Sequence, residues 1–321
     1  MPPEYCTLES MSRLAVAALL ACLLFSVPAR AQSDLQGTWT NGTLTSFERP
    51  PALGLKAFYT PEEAAEEERL ATERRNSRTR RPGDVGGDNE AFVDSGYKFV
   101  STRQTSLIVD PSDGRIPIRA EAQKQRDFNV NNLDSFETMS PWDRCITRSP
   151  TNMFPAGYNN GYQIVQTPGY VMIMSEMIHE ARIIPLDGRP HADAQIGQWL
   201  GDSRGRWEGK TLVVDTTNFR DGGWIATHAG SGRLRGVPHT KALHMVERLT
   251  RVDPDTINYE ATIDDPGVYE RPWTFAIPFV KSDDYQVFEY ACHEGNEATG
   301  LMLRGARTLE REAAVGPVGR P

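Results

Sequence analysis

Cysteine is scarce in this chain, four among 321 residues. Two of them, Cys6 and Cys22, lie in an apolar N-terminal segment, which leaves the single pair Cys145 and Cys292. An excess of positive charge is also missing. The formal net charge is −8, which argues against nucleic acid or an anionic lipid surface as partner. Beyond the N-terminal segment no apolar run is long enough to span a bilayer. No phosphate-cradling glycine loop follows a strand pattern, so nucleotide binding is disfavoured. His179-Glu180 and His293-Glu294 both lack the second histidine of a zinc-protease motif, and no histidine pair, His179 and His191 included, has a diagnostic metal spacing. Neither a metal nor an organic cofactor is expected.

What is present begins with an export signal. Arg13 supplies the positive start, Leu14–Val27 the apolar stretch and Ala29-Arg30-Ala31 a small-x-small cleavage site. Met1–Ser10 does not resemble such a start, which makes Met11 an alternative to Met1 as the first residue. A lipidated Cys22 is disfavoured, because apolar residues continue past it. Cleavage near Ala31 leaves about 290 of the 321 residues, room for one large domain or two small ones. The charges removed (Glu4, Glu9, Arg13, Arg30) cancel. A periplasmic or secreted location follows. In that setting an even pair of cysteines reads as a Cys145–Cys292 disulfide, with two buried free thiols as the alternative.

The chain divides into a signal peptide (1–31), an N-terminal strand, surface helix and flexible linker (32–100), a β-barrel-like domain (101–310) and a disordered tail (311–321). Asp34–Trp39 reads as a short strand. Thr60-Pro61-Glu62-Glu63 reads as a helix start, with Thr60 as N-cap, Pro61 in the first turn and Glu63 closing a capping box. Residues 76–90 read as the linker. Thr105–Asp110 is a candidate strand and Arg119–Asp127 a candidate helix. From Gly161 onward β signals dominate: Tyr162–Thr167, Tyr170–Pro185, Thr211–Phe219, Leu243–Val252, Thr256–Ile263, Trp273–Phe279 and Tyr285–Cys292. Tight turns separate them, as in an antiparallel meander, and strand–helix alternation is missing, which disfavours a parallel α/β sheet. The expected fold is mainly β, an antiparallel barrel or strongly curved sheet with a few peripheral helices. The insert Asp221–His239 reads as a lid over the barrel mouth.

Whole phrases of the chain are similar to others. Tyr158-Asn-Asn-Gly-Tyr-Gln, Ile178-His-Glu-Ala-Arg-Ile-Ile-Pro-Leu-Asp-Gly-Arg-Pro-His, Gly201-Asp-Ser-Arg-Gly-Arg-Trp-Glu-Gly and Tyr290-Ala-Cys-His-Glu-Gly-Asn resemble, in this order, a large family of exported bacterial proteins common in soil bacteria. The resemblance covers residues 100–307 and implies no particular activity. Gly37-Thr-Trp39 also resembles the Gly-x-Trp of lipocalin-type, or calycin, barrels, and implies such a fold.

Candidate chemistry comes from ionisable residues set into apolar strands, where burial without a partner is costly. Read as one strand, Tyr170–Ile184 puts His179 on one face and Glu176, Glu180 and Arg182 on the other. Glu247 lies between Met245 and Leu249, where desolvation would suit it to acid–base work; the alternative is a salt bridge to Arg182 or Arg248. His293 and Glu294 follow Cys292, and a disulfide there would pin a functional rim. The expected catalytic group is His179, Arg182, Glu247, His293 and Glu294, converging on one cavity. Glu180, Asp215, Asn218, Glu289 and Asn296 are the expected substrate contacts. Gly201-Asp-Ser203-Arg-Gly205, with Asp215 and His239 after it, follows serine-hydrolase order. That reading is rejected because Ser203 is expected in a turn leading to another strand, not in a strand-to-helix elbow. Three functions compete: a cofactor-free acid–base enzyme (lyase, hydratase, isomerase or hydrolase) acting on a small molecule, a calycin-type binding protein for a small organic ligand, and a structural β protein whose buried charges fix register.

Overall fold

The computed structural model describes residues 33–76, 96, 98–132, 134–225 and 236–315. The export signal, most of the linker and the centre of the expected lid therefore lie outside the described residues. Twelve strands are present: β1 (Gly37–Thr40), β2 (Ile108–Asp110), β3 (Gly161–Gln166), β4 (Tyr170–Ser175), β5 (Ala181–Pro185), β6 (Asp202–Glu208), β7 (Thr211–Thr217), β8 (Trp224–Ile225), β9 (Val237–Pro238), β10 (His244–Asp253), β11 (Thr256–Asp264) and β12 (Trp273–Lys281). The helices are α1 (Pro61–Asn76), α2 (Ala120–Asn131) and α3 (Ala298–Val315).

Nine strands form one antiparallel sheet in the order β5-β4-β3-β1-β12-β11-β10-β7-β6, with β2 added beside β12. The sheet curls until its end strands nearly meet. Gly205 of β6 makes that approach possible, since a Cβ there would stand 2.8 Å from Ile184 and 2.7 Å from Leu186. The expected barrel is what the chain forms.

Alternation explains why the barrel is filled. On β12, Trp273, Phe275, Ile277 and Phe279 point inward, and on β11 Ile257, Tyr259, Ala261 and Ile263 do so. Trp39 is fully buried, and Arg251 lies over its ring at 5.7 Å. Each large buried side chain contributes about 1.5–3 kcal/mol by leaving water. One end is stoppered by the buried stretch 147–156, where Phe154 stacks on Phe275 at 4.8 Å and Asn41 donates to the Met153 carbonyl.

α1 begins as expected: the Glu63 amide donates to Thr60 Oγ1 and the Thr60 amide to Glu63 Oε2, a reciprocal capping box. It buries Ala64 and is otherwise largely polar, which keeps it on the surface.

Several expectations are corrected. Tyr170–Pro185 is not one strand but the hairpin β4–β5, with Tyr170 opposite Pro185 and Met174 opposite Ala181. The chain reverses because Ile178 and His179 take left-handed φ values of 61° and 43°, while the Glu176 side chain is drawn away from the strand path by donors elsewhere. Tyr285–Cys292 forms no strand; its donors and acceptors go to Glu176 and His179 instead of a sheet edge. Ser203 sits on β6, hydrogen bonded to Thr216, and not in a turn. Residues 311–315, assigned to a disordered tail, end α3. At the lid, β8 pairs with β9, and the residues between them lie outside the described ones. No helix among the described residues is long and apolar enough to cross a membrane.

Candidate functional site

The sequence calls for a polar cavity inside the barrel. The structure instead carries a pocket of about 420 Å³ outside it, lined by residues 142–143, 158–159, 289–292 and 294–296. Its aromatic wall is Trp142, Tyr158 and Tyr290, with ring centroids 6.2 Å apart for the first pair and 6.3 Å for the second. Those rings rest on a small apolar cluster of Ala156, Met177 and Ile178, separate from the barrel core. The Trp142 indole N–H contacts Met177 Sδ at 3.2 Å. The phenol oxygens of Tyr158 and Tyr290 are 3.3 Å apart, and burial together with this contact raises the Tyr158 pKa, so it stays a neutral phenol. Asp143, Glu289 and Glu294 supply carboxylates, and Asn159 and Asn296 supply amides.

The lining residues of this pocket all lie in chain without regular secondary structure, yet it is held at several points. The Cys145–Cys292 disulfide joins the two walls across 147 residues, with Cα atoms 5.6 Å apart. In the chain-entropy model such a crosslink contributes about 5 kcal/mol. Glu176, fully buried, is a second anchor. Its carboxylate accepts Tyr285 Oη at 2.8 and 2.7 Å, the Phe288 amide at 3.2 Å and the Asn159 amide group. Four donor contacts satisfy its two oxygens. Gly161 makes room for them, because a Cβ there would lie 2.9 Å from both Glu176 Oε2 and the Tyr285 ring. His179 is a third anchor, its Nδ1 2.8 Å from the Tyr290 carbonyl. Asn296 Nδ2 reaches Cys145 Sγ at 3.0 Å. Left-handed φ values at Cys145, Thr151, Asn152 and Asn159 mark the same region as conformationally unusual.

Glu180 lies just beneath. Thr147 Oγ1 donates to it at 2.8 Å and Asn152 Nδ2 at 3.0 Å. Burial pushes its pKa up to about 7, against the lowering effect of the Thr147 hydroxyl and the Arg148 amide.

The barrel interior holds a different arrangement. Arg182 grips Glu247 in bidentate fashion, Nη1 to Oε2 at 2.5 Å and Nη2 to Oε1 at 2.9 Å, and the Tyr259 hydroxyl donates to Oε1 at 2.8 Å. Both charged side chains are buried, 4% and 0% exposed. Burial works against the charge on Arg182, but Glu247 outweighs it and holds the guanidinium pKa above its ordinary value. Arg182 Nε and the Oγ of Ser175 are buried without a protein partner. Glu247 thus takes the salt-bridge alternative with Arg182, not with Arg248, which reaches Glu208.

Around β6, β7 and β10, carboxylates and imidazoles alternate. His191 bridges Asp202 (3.2 Å) and Asp215 (2.8 Å), and Asp215 also meets His244 at 2.9 Å. Burial opposes ionisation of Asp215, yet the two imidazoles outweigh it and lower its pKa. Asn218 donates to the Ala192 carbonyl beside them. Among the described residues no group of three or more His, Cys, Asp or Glu is arranged to hold a metal ion.

The expected catalytic residues therefore divide. Glu294 lines the pocket, His179 braces its wall and His293 sits exposed next to the disulfide, while Arg182 and Glu247 pair inside the barrel. Of the expected contacts, Glu289 and Asn296 line the pocket; Glu180 lies beneath it, and Asp215, on β7, and Asn218 are not among its lining residues. Sequence reasoning missed Trp142, Asp143, Tyr158, Asn159 and Tyr290, and placed Glu176 only on a strand face shared with Arg182. The signal was available in the cysteine pair, which brings residues 142–146 beside 289–296. Comparison with protein-family models, with curated proteins and with solved structures finds no match.

Proposed function

We propose that this is an exported protein that binds a small organic molecule in the pocket between residues 142–159 and 289–296. The observation that carries the reading is the way an irregular wall is fixed in place: a disulfide, the buried Glu176 and His179 all converge on it. Holding loop residues in one geometry lowers the ordering cost of binding, and that cost is what limits affinity at flexible sites. The volume of about 420 Å³ lies in the range of small-molecule sites, and rings interspersed with a few polar groups suit such ligands. The disulfide is compatible with an oxidising location and so supports export.

Glu180 favours a second reading, the cofactor-free acid–base enzyme. A carboxylate with a pKa of about 7 is poised to give or take a proton at neutral pH. Glu180 does not line the pocket, however, and binding without turnover is therefore the leading reading.

A thermal-shift screen of small organic molecules tests it, because a ligand at 100 times its Kd stabilises the folded state by about 2.7 kcal/mol. A hit should lose its effect in Trp142→Leu and keep it in the double variant Arg182→Met/Glu247→Leu, each compared with its own unliganded Tm. A hit abolished by the interior double variant but untouched by Trp142→Leu would refute the assignment.

A further inference from the structure

The lining of the pocket is one-sided in charge. Asp143, Glu289 and Glu294 contribute carboxylates, and no lysine, arginine or histidine is among the residues that line it. Asp143 has one oxygen engaged, Oδ2 accepting the Ser140 hydroxyl at 2.7 Å and the Ser140 amide at 3.3 Å. At Tyr158 the charge of Asp143 acts against that of Arg148, which is not a lining residue. Arg144, next to Asp143, directs its Nε to the Ser140 carbonyl at 3.5 Å and is not a lining residue.

The aromatic wall carries the same preference. Three aromatic rings line the pocket, and a cation over a ring face is attracted by the negative side of its quadrupole. The Tyr158 and Tyr290 hydroxyls are occupied with each other, and the Trp142 indole N–H with Met177. The polar handles of the rings are therefore engaged within the protein, and their remaining contribution to a ligand is their faces. Carboxylates that repel anions and rings that attract cations act in one direction.

We infer that the ligand of this pocket is a small organic cation, an amine or quaternary ammonium whose charged head packs on Trp142, Tyr158 and Tyr290 with Glu289 and Glu294 at the rim. This rests on the assignment of the pocket as a small-molecule site. Neutral sugars would also stack on such rings, but they have no use for three carboxylates in the lining. The same three charges disfavour anionic metabolites.

The test compares choline with its uncharged isostere 3,3-dimethylbutan-1-ol and with methyl glucoside, by calorimetric titration into the full oxidised chain. Choline should bind at least about ten times more tightly than the isostere. Its affinity should fall several-fold in Glu289→Gln/Glu294→Gln, whose side chains are exposed and whose removal leaves the fold intact, and should weaken further with added salt. Equal binding of choline and the isostere, or preference for the glucoside, abolished by Trp142→Leu, would overturn the cation assignment while leaving the pocket a ligand site. Absence of choline binding at 10 mM (about ten-thousandfold weaker than a micromolar site) in folded protein would overturn it as well. Binding of choline that survives both Trp142→Leu and Glu289→Gln/Glu294→Gln would remove the pocket itself from the assignment.

Discussion

Replacing Glu247 by leucine should destabilise the protein severely, and replacing Arg182 by methionine at the same time should restore most of the loss. Glu247 is fully buried, and its two oxygens are taken by Arg182 at 2.5 and 2.9 Å and by Tyr259 at 2.8 Å. Removing the carboxylate leaves a guanidinium in an apolar barrel whose Nε already lacks a protein partner. Breaking a buried pair from one side costs about 3–5 kcal/mol, and the orphaned Tyr259 hydroxyl adds about 1–3 kcal/mol. Taking out both charges removes the desolvation penalty too, so the double variant should come within about 1–2 kcal/mol of wild type or exceed it. Urea unfolding of oxidised protein, followed by tryptophan fluorescence, gives each midpoint, and the double-mutant cycle isolates the coupling. A single-variant cost below about 1 kcal/mol, or a double variant as unstable as the sum of the singles, would refute the reasoning. The same double variant should keep its ligand, because neither residue lines the pocket.

Two further outcomes concern residues behind the pocket lining. Glu180 has its pKa raised from about 4.5 to about 7 by burial, so the folded protein binds more protons than the unfolded chain between those values, and stability falls as pH rises through that window. Glu180→Gln, which keeps an acceptor for Thr147 and Asn152, should flatten the midpoint-against-pH curve there and be more stable than wild type at pH 8 by about 1–3 kcal/mol; an unchanged curve would exclude a raised pKa. Gly161→Ala places a Cβ 2.9 Å from Glu176 Oε2 and from the Tyr285 ring, so it should cost about 1–3 kcal/mol and increase proteolysis at residues 285–296, whereas Gly209→Ala, at a turn with open space, should leave that segment protected.

The barrel was legible because alternation and turn residues report directly on pleated, half-buried strands; β10, β11 and β12 fall within a residue or two of where the pattern puts them. The disulfide was legible from arithmetic and the export signal. The hairpin at 176–180 was not. Its residues are as apolar as the strands around them, and the reversal depends on what captures Glu176, a contact made with Tyr285 and Phe288 more than 100 residues away. Misreading that turn also reversed the parity of Arg182, placing it with Glu176 when its side chain in fact enters the barrel with Ser175 and Ile173. Glu289, Glu294 and Asn296 were found because they flank a pinned cysteine, whereas Trp142, Tyr158 and Tyr290 looked like ordinary half-buried aromatics. Nothing in the periodicity of either wall indicates that the two meet.

The central claim is that ligand is held outside the barrel on the Trp142 wall and not inside the barrel. The most direct measurement is a ¹H–¹⁵N spectrum of protein labelled at its tryptophan indoles, titrated with choline or with the best ligand from the thermal screen. Trp142 lines the pocket, whereas Trp39 and Trp273 are fully buried in the barrel core. The account predicts a saturable shift of the Trp142 indole resonance with Trp39 and Trp273 unmoved. A saturable shift at Trp39 or Trp273 with Trp142 unmoved would contradict it.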